Sequence, residues 1–331
     1  MIIVTGGAGF IGSAIVWRLN QLGKDEILIV DNLGTDEKWK NLVPLRYRDY
    51  MEKDEFLNLV INKRLAARMR SDREPIEAII HMGACSATTE KDATYLIRNN
   101  YEYTRQLAEV ALNEGARFIY ASSAATYGDG GNGFIDDERQ IDSLRPLNMY
   151  GYSKQLFDQW ALRHGLLDRM VGLKYFNVYG PNEYHKGDMR SVVLKAFEQI
   201  RDTGRMTLFR SHREDYKDGE QVRDFVYVKD AVEMTLFFLE NRKAGGLFNI
   251  GSGTANTWNR LATAIFAALG KPASIEYVDM PETIRDKYQY YTCADVSKIR
   301  NTGFKGPGTA LEDAVADYVK NYLAAGKRLG E

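Results

Sequence analysis

Apolar positions in the first half of the chain alternate between two periods. Residues 2–5 form a short, apolar, β-branched run, and Ile11, Ile15, Leu19 and Leu22 then recur at helical spacing. Residues 26–31 enclose Ile27, Leu28, Ile29 and Val30, a continuous apolar run that suits a strand buried on both faces. The same reading predicts a helix over 54–70, a strand over 77–81, and a long amphipathic helix over 94–113 ending near Gly115. A strand over 117–122, a helix over 152–165 and a strand over 170–176 follow. Repeated βα units predict an α/β fold, a Rossmann-type doubly wound parallel sheet.

After Gly180 the rhythm changes. Residues 183–190 are polar and irregular, 189–201 look helical, and 212–221 are charged and glycine-containing, as in an exposed loop. Residues 222–228 and 247–250 read as strands returning to the sheet, and 257–269 and 310–323 as helices of a smaller C-terminal portion. This organisation assigns 1–176, with 222–251 returning to it, to a dinucleotide-binding domain. Residues 177–221 and 252–331 are left as a smaller substrate-binding domain.

Composition narrows the function classes. With 331 residues and 44% hydrophobic content, the chain can bury a large core. Its 44 Lys+Arg against 45 Asp+Glu argue against nucleic acid or an anionic membrane surface as partner. The basic stretch 63–73 has no interleaved aromatics and reads as a solvated helix face. Apolar runs such as 118–120 are far shorter than the about 20 residues that span a bilayer. The chain opens directly on a strand, without a basic leader, and its cysteines, Cys85 and Cys293, could form one bridge at most; both features suggest a reducing cytoplasm. His81, His164, His185 and His212 lack metal-ligand spacing, so no metal is expected. His81, at a strand end, reads as structural.

Chemistry concentrates in two motifs. Thr5-Gly6-Gly7-Ala8-Gly9-Phe10-Ile11-Gly12 joins the first strand to the first helix. Gly7, Gly9 and Gly12 match the dinucleotide fingerprint, and Gly6, Gly9 and Gly12 match the wider spacing of short-chain dehydrogenases. Either way, backbone approaches a pyrophosphate and the helix N-terminus supplies N–H groups. Asp31 ends the second strand, where an acid favours the free ribose hydroxyls of NAD. Lys38 and Lys53 follow and could neutralise a 2′-phosphate. These residues leave NAD and NADP evenly matched.

The second motif is Tyr150-Gly151-Tyr152-Ser153-Lys154. Positions i and i+4 share a helix face, so phenol and ammonium can address one site. A free tyrosine, with a pKa of about 10, is a poor base, but nearby positive charge favours its phenolate. It could then take the proton of a sugar hydroxyl while hydride leaves, and Lys154 could also hold the nicotinamide ribose. Within Ala121-Ser122-Ser123-Ala124-Ala125-Thr126-Tyr127-Gly128, Ser123 is the candidate to hydrogen-bond the reacting oxygen, and Ser122 reads as satisfying local backbone. Where the sugar-nucleotide dehydratase family has an Asp-Glu pair following a threonine, this chain has Ala124 and Ala125, which cannot transfer protons. A dehydratase, which must eliminate water, is therefore disfavoured.

On these residues the chain resembles the extended short-chain dehydrogenase/reductases. Gly83-Ala84-Cys85-Ser86, residues 122–127 and His185-Lys186-Gly187 make it similar, within them, to the 6-epimerases of ADP-heptose that supply lipopolysaccharide core. The resemblance implies NADP as cofactor, lined by Gly6, Gly9, Phe10, Ile11, Gly12, Asp31, Asn32, Lys38, Lys53, Met82, Gly83, Ala84, Cys85, Ser86, Asn99, Lys154, Val178 and Lys186. It also implies that Tyr150 and Lys186 are two proton acceptors on opposite sides of a carbon oxidised to a 6-keto state. Substrate contacts carried over are Asn177, Asp188, Lys195, Phe209, Arg210, Ser211, His212, Arg223 and Tyr288, with Arg223 a plausible pyrophosphate clamp. A homo-oligomer, often a pentamer, is implied as well. Asp188 stands where the family can have serine, and Lys195 where it can have histidine. A UDP-sugar 4-epimerase and a non-catalytic NADP sensor are the alternative readings.

Overall fold

The computed structural model describes residues 1–62, 64, 75–285 and 288–331. Most of the basic stretch 63–73, and the end of the helix expected over 54–70, lie outside them. Seven strands form the main sheet: β1 (Ile2–Thr5), β2 (Ile27–Asp31), β3 (Asp49–Glu52), β4 (Ala78–His81), β5 (Arg117–Ser123), β6 (Met170–Tyr175) and β10 (Gly246–Ile250). Their order is β10-β6-β5-β4-β1-β2-β3, and every neighbouring pair is parallel. Alternate residues of one strand face opposite layers. Ile2 and Val4 join the core that holds Ile15 and Leu19 of helix α1 (Phe10–Gln21). Ile3 joins the core that holds Phe56 of α2 (Lys53–Ile61), Leu107 of α3 (Tyr103–Asn113) and Phe157 of α4 (Met149–Arg163). Burial on both faces is why these strands read as unbroken apolar runs. The helix expected over 94–113 is one winding run that includes a wide π-helical stretch, Ile97–Glu102.

Two departures from the sequence pattern have plain causes. Strand β3 is polar, with only Met51 of its four residues buried, because it lies at the sheet edge. Of the two strands expected to return to the sheet, only β10 does so. The other, β9 (Val222–Tyr227), pairs with β7 (Asn177–Tyr179) and β11 (Ala255–Thr257) in a separate three-stranded sheet. Its apolar run signals burial, and burial does not specify which sheet a strand joins. A two-stranded sheet, β8 (Met206–Phe209) with β12 (Ile275–Val278), completes the smaller part. The remaining long helices are α5 (Val192–Thr203), α6 (Val228–Glu240), α7 (Trp258–Ala268) and α8 (Leu311–Asp317). No helix among the described residues is long and apolar enough to cross a membrane.

Candidate active site

The carboxyl ends of the parallel strands open into a cleft of about 1620 Å³, where open α/β sheets bind their ligands. Its floor is the turn after β1. Gly6 has φ +67°, and a Cβ there would lie 2.6 Å from the Gly83 nitrogen. A Cβ on Gly12 would overlap the Gly6 carbonyl oxygen, so helix α1 can start against the turn only with glycine there. The first turn of α1 carries no acidic residue, and its N-terminus opens on the cleft. This bare backbone and positive helix end fit a dinucleotide pyrophosphate.

At one end of the cleft Asp31 is buried. Its carboxylate accepts the N–H groups of Ala8 at 2.9 Å and Asn32 at 2.7 Å, and lies 3.0 Å from Lys38 Nζ. Lys53 does not line the cleft. It donates to Asn99 Oδ1 at 2.9 Å, and Asn99 donates to Asn100 Oδ1 at 3.1 Å. Asn100 is fully buried and donates to the Cys85 carbonyl and to Ser153 Oγ, each at 3.0 Å. Ser153 in turn donates to the Tyr150 carbonyl at 2.7 Å. A line of hydrogen bonds therefore runs from Lys53 to the first turn of α4. Met82, Gly83, Ala84, Cys85 and Ser86 line the wall beside it. His81 is buried between Thr5 Oγ1, at 2.5 Å, and Thr104 Oγ1, at 2.9 Å. Burial first, then the Lys154 charge, pull its pKa down to about 3, which fits the structural role read from the sequence.

Ser123, Tyr150 and Lys154 meet midway along the cleft. Helix α4 begins at Asn148, whose side chain accepts the Gly151 N–H at 2.8 Å, so Tyr150 sits in its first turn. Burial raises the phenol's pKa, while a hydrogen bond with Ser123 acts downward. Ser123 Oγ also accepts the Ala125 N–H at 3.1 Å, which fixes the hydroxyl. Lys154 donates to the Ala121 carbonyl at 2.8 Å, and burial pulls its pKa down to about 8 against the opposing charge of Asp158. Ser122 serves side chains rather than local backbone, donating to Asp158 Oδ2 at 2.7 Å. The same carboxylate is paired with Lys174 at 2.8 Å in a fully buried ion pair behind the site. Ala124 and Ala125 line the cleft, so no acid–base pair stands there.

Lys186 reaches the cleft from the loop between β7 and α5. Its ammonium lies 5.2 Å from the centre of the Phe10 ring. Burial lowers its pKa, and Glu183 opposes the shift. Farther along, Arg223 is buried between the rings of Trp258, at 5.6 Å, and Tyr288, at 5.1 Å. Trp258 Nε1 donates to the Tyr288 hydroxyl at 2.9 Å. Asn177 and Val178 of β7 also line the cleft.

Other candidates stand back from it. Phe209 meets Tyr288 edge to face at 6.5 Å, and the His212 N–H donates to Tyr290 Oη at 3.0 Å. Arg210 faces Asp279 at 3.7 Å, and the Ser211 N–H donates to Asp218. Asp188 and Lys195, the two departures from the family pattern, touch: Lys195 Nζ donates to the Asp188 carbonyl at 2.6 Å. The cleft residues to which the sequence reading gave no site role include Trp258, Gln289 and His185. A tryptophan at a helix start looks like a core aromatic in a sequence, and a lone histidine in a polar loop carries no spacing signal.

A glycine cradle beside a Ser-Tyr-Lys cluster on a doubly wound sheet defines a dinucleotide-dependent enzyme of the short-chain dehydrogenase type. The match to a family model is specific: the chain belongs to the NAD dependent epimerase/dehydratase family, whose model covers residues 2–251. It is 57% identical over 325 residues, 98% of each chain, to an ADP-L-glycero-D-manno-heptose-6-epimerase of Nitratidesulfovibrio vulgaris. The crystal structure of the Helicobacter pylori enzyme of that name superposes with a TM-score of 0.78 at 28% identity, covering 98% of this chain and 96% of that one. A UDP-glucuronic acid 4-epimerase from Bacillus cereus, in complex with NAD, superposes with a TM-score of 0.73 at 26% identity, covering 97% and 98%. The chain is an epimerase built for a nicotinamide dinucleotide.

Proposed function

We propose that the enzyme interconverts the C6 epimers of ADP-glycero-manno-heptose with NADP as cofactor, in the supply of heptose for lipopolysaccharide core. The observation that carries this reading is the pairing of Tyr150 and Lys186, two proton-transferring side chains from separate elements in one cleft. Inversion at a carbinol needs such a pair: one group takes the hydroxyl proton of one epimer, and the other gives a proton to the oxygen of its mirror arrangement. When bound, the dinucleotide accepts the C6 hydride and returns it. Ser123 orients the reacting oxygen and restrains the phenol, and Lys154 holds the nicotinamide ribose. Arg223, stiffened between two aromatic rings, clamps the substrate pyrophosphate. Lys38, already against Asp31, offsets the acid's repulsion of a 2′-phosphate, and Lys53 with Asn99 supports the same end. The assembly expected is a homo-oligomer.

The test is incubation with ADP-D-glycero-D-manno-heptose while the H6 resonance is followed by NMR. The expected result is an equilibrium mixture of both epimers without solvent deuterium at C6. Turnover of a UDP-hexose at C4, with the heptose untouched, would overturn the substrate assignment.

A further inference from the structure

Lys186 stands on a loop with no regular strand or long helix to hold it, yet its role demands fixed placement. The loop leaves β7 at Gly180 and ends at Ser191, which caps α5. Glu183 lies inside it with no exposed surface. One of its carboxylate oxygens accepts the Gly180 N–H at 3.3 Å, the Ser191 hydroxyl at 2.7 Å and the Tyr318 hydroxyl at 3.1 Å. The other accepts the Ser191 N–H. The Glu183 carbonyl accepts the Lys186 N–H at 3.1 Å. A single buried carboxylate therefore bonds the entrance of the loop, its exit and the C-terminal helical segment beneath it.

We propose that Glu183 is the positioning residue of Lys186, clasping both ends of the loop that carries it. Burial pushes the Glu183 carboxyl's pKa up, and the hydrogen bonds from Ser191 and Gly180 together with the Lys186 charge act downward; four donors hold the group in place and resist its displacement. Its charge also acts on the lysine: burial disfavours the ammonium, and Glu183 is the group that opposes this. His185, on the same turn, is held near pKa 4 by burial and is acted on by Asp36, Lys38 and Asp31 from the opposite wall. The Phe10 ring packs against the ammonium from α1. Glu183 supplies the negative charge that opposes the downward pull of burial on the Lys186 ammonium. Glu183 does not line the cleft and acts only through the lysine.

The inference rests on the proposed role of Lys186, and the experiment separates the two. Competitive acetylation read by mass spectrometry across the pH range reports the protonation of Lys186 without turnover. In Glu183→Gln the labelling midpoint should fall by about one pH unit. The Lys186 limb of the pH–rate profile should move to lower pH with it, whichever direction is assayed. kcat should drop about tenfold or more, with KM within about threefold. Glu183→Asp keeps the charge but shortens the reach; its midpoint should stay near wild type while kcat still falls. An unchanged midpoint in Glu183→Gln, or an unchanged kcat in Glu183→Asp, would overturn the proposal. Wild-type turnover in Lys186→Met would instead remove the base role of Lys186, while leaving the labelling result to stand or fall alone.

Discussion

The ammonium of Lys38 lies 3.0 Å from the carboxylate of Asp31, at the end of the cleft where the adenosine ribose is expected. The acid that would repel a 2′-phosphate is thus already paired with the cation that would receive one. Lys38→Met should therefore weaken NADP far more than NAD. A charge-assisted contact contributes about 1.5–3 kcal/mol, so the NADP Kd should rise about 10- to 150-fold. The NAD Kd should stay within about threefold. Calorimetric titration with both dinucleotides measures this, and an equal loss for both would count against a phosphate contact.

Tyr150→Phe removes the hydroxyl proposed to transfer the proton and leaves the ring in place. Epimerisation should fall by about 10²- to 10⁴-fold, the usual contribution of a positioned acid or base. The variant should still retain the cofactor, because the glycine cradle does not involve the phenol. Turnover assays paired with absorbance of the bound dinucleotide read both effects. Near-normal turnover would end the assignment.

Lys154 is held near pKa 8, well below its ordinary value, mainly by burial. Its ammonium persists below about pH 8 and is lost above it. If the ammonium holds the nicotinamide ribose, cofactor affinity of the free enzyme should decline as pH rises through 8. Lys154→Met should bind weakly with no such step. Fluorescence titration between pH 6 and 10 tests this, and a step that survives in the methionine variant would assign it to another group.

His81 gives a stability prediction of definite sign. Its folded pKa is depressed to about 3 from an ordinary 6.5. Above pH 6.5 neither folded nor unfolded chain carries the proton, and the neutral ring's hydrogen bonds are intact. Below 6.5 the unfolded chain takes up a proton that the folded one refuses, so stability falls toward pH 3. The slope approaches about 1.4 kcal/mol per pH unit. Urea unfolding from pH 7 to 4 should show a shallower loss in His81→Gln than in wild type, after correction for other groups.

Much of this was legible in the sequence because it rests on local chemistry. The glycine turn, the βα alternation and the Tyr150–Lys154 spacing are set by backbone sterics and helix geometry, which neighbouring residues already express. What the pattern could not express is partner choice. The Val222–Tyr227 segment is apolar because it is buried, and nothing local says that it pairs with Asn177–Tyr179 instead of the main sheet. Asp49–Glu52 forms a strand although it is polar, because the Leu28–Asp31 edge offers it hydrogen bonds. Trp258 and Gln289 reach the cleft through distant pairings, as does the clasp of Glu183 on Gly180, Ser191 and Tyr318.

The line of hydrogen bonds from Lys53 through Asn99, Asn100 and Ser153 ends on the backbone carbonyl of Tyr150, the residue that carries the phenol. If Lys53 supports the 2′-phosphate end and Tyr150 is the proton acceptor, as proposed above, two tasks usually treated as separate modules share a single strut in this chain. Substitutions made at Lys53 to convert the enzyme from one dinucleotide to the other would release Asn99 and unsettle the start of the catalytic helix. Cofactor conversion is thus a repair problem at two ends, and a compensating change near Asn100 or Ser153 is the natural companion of any exchange at Lys53.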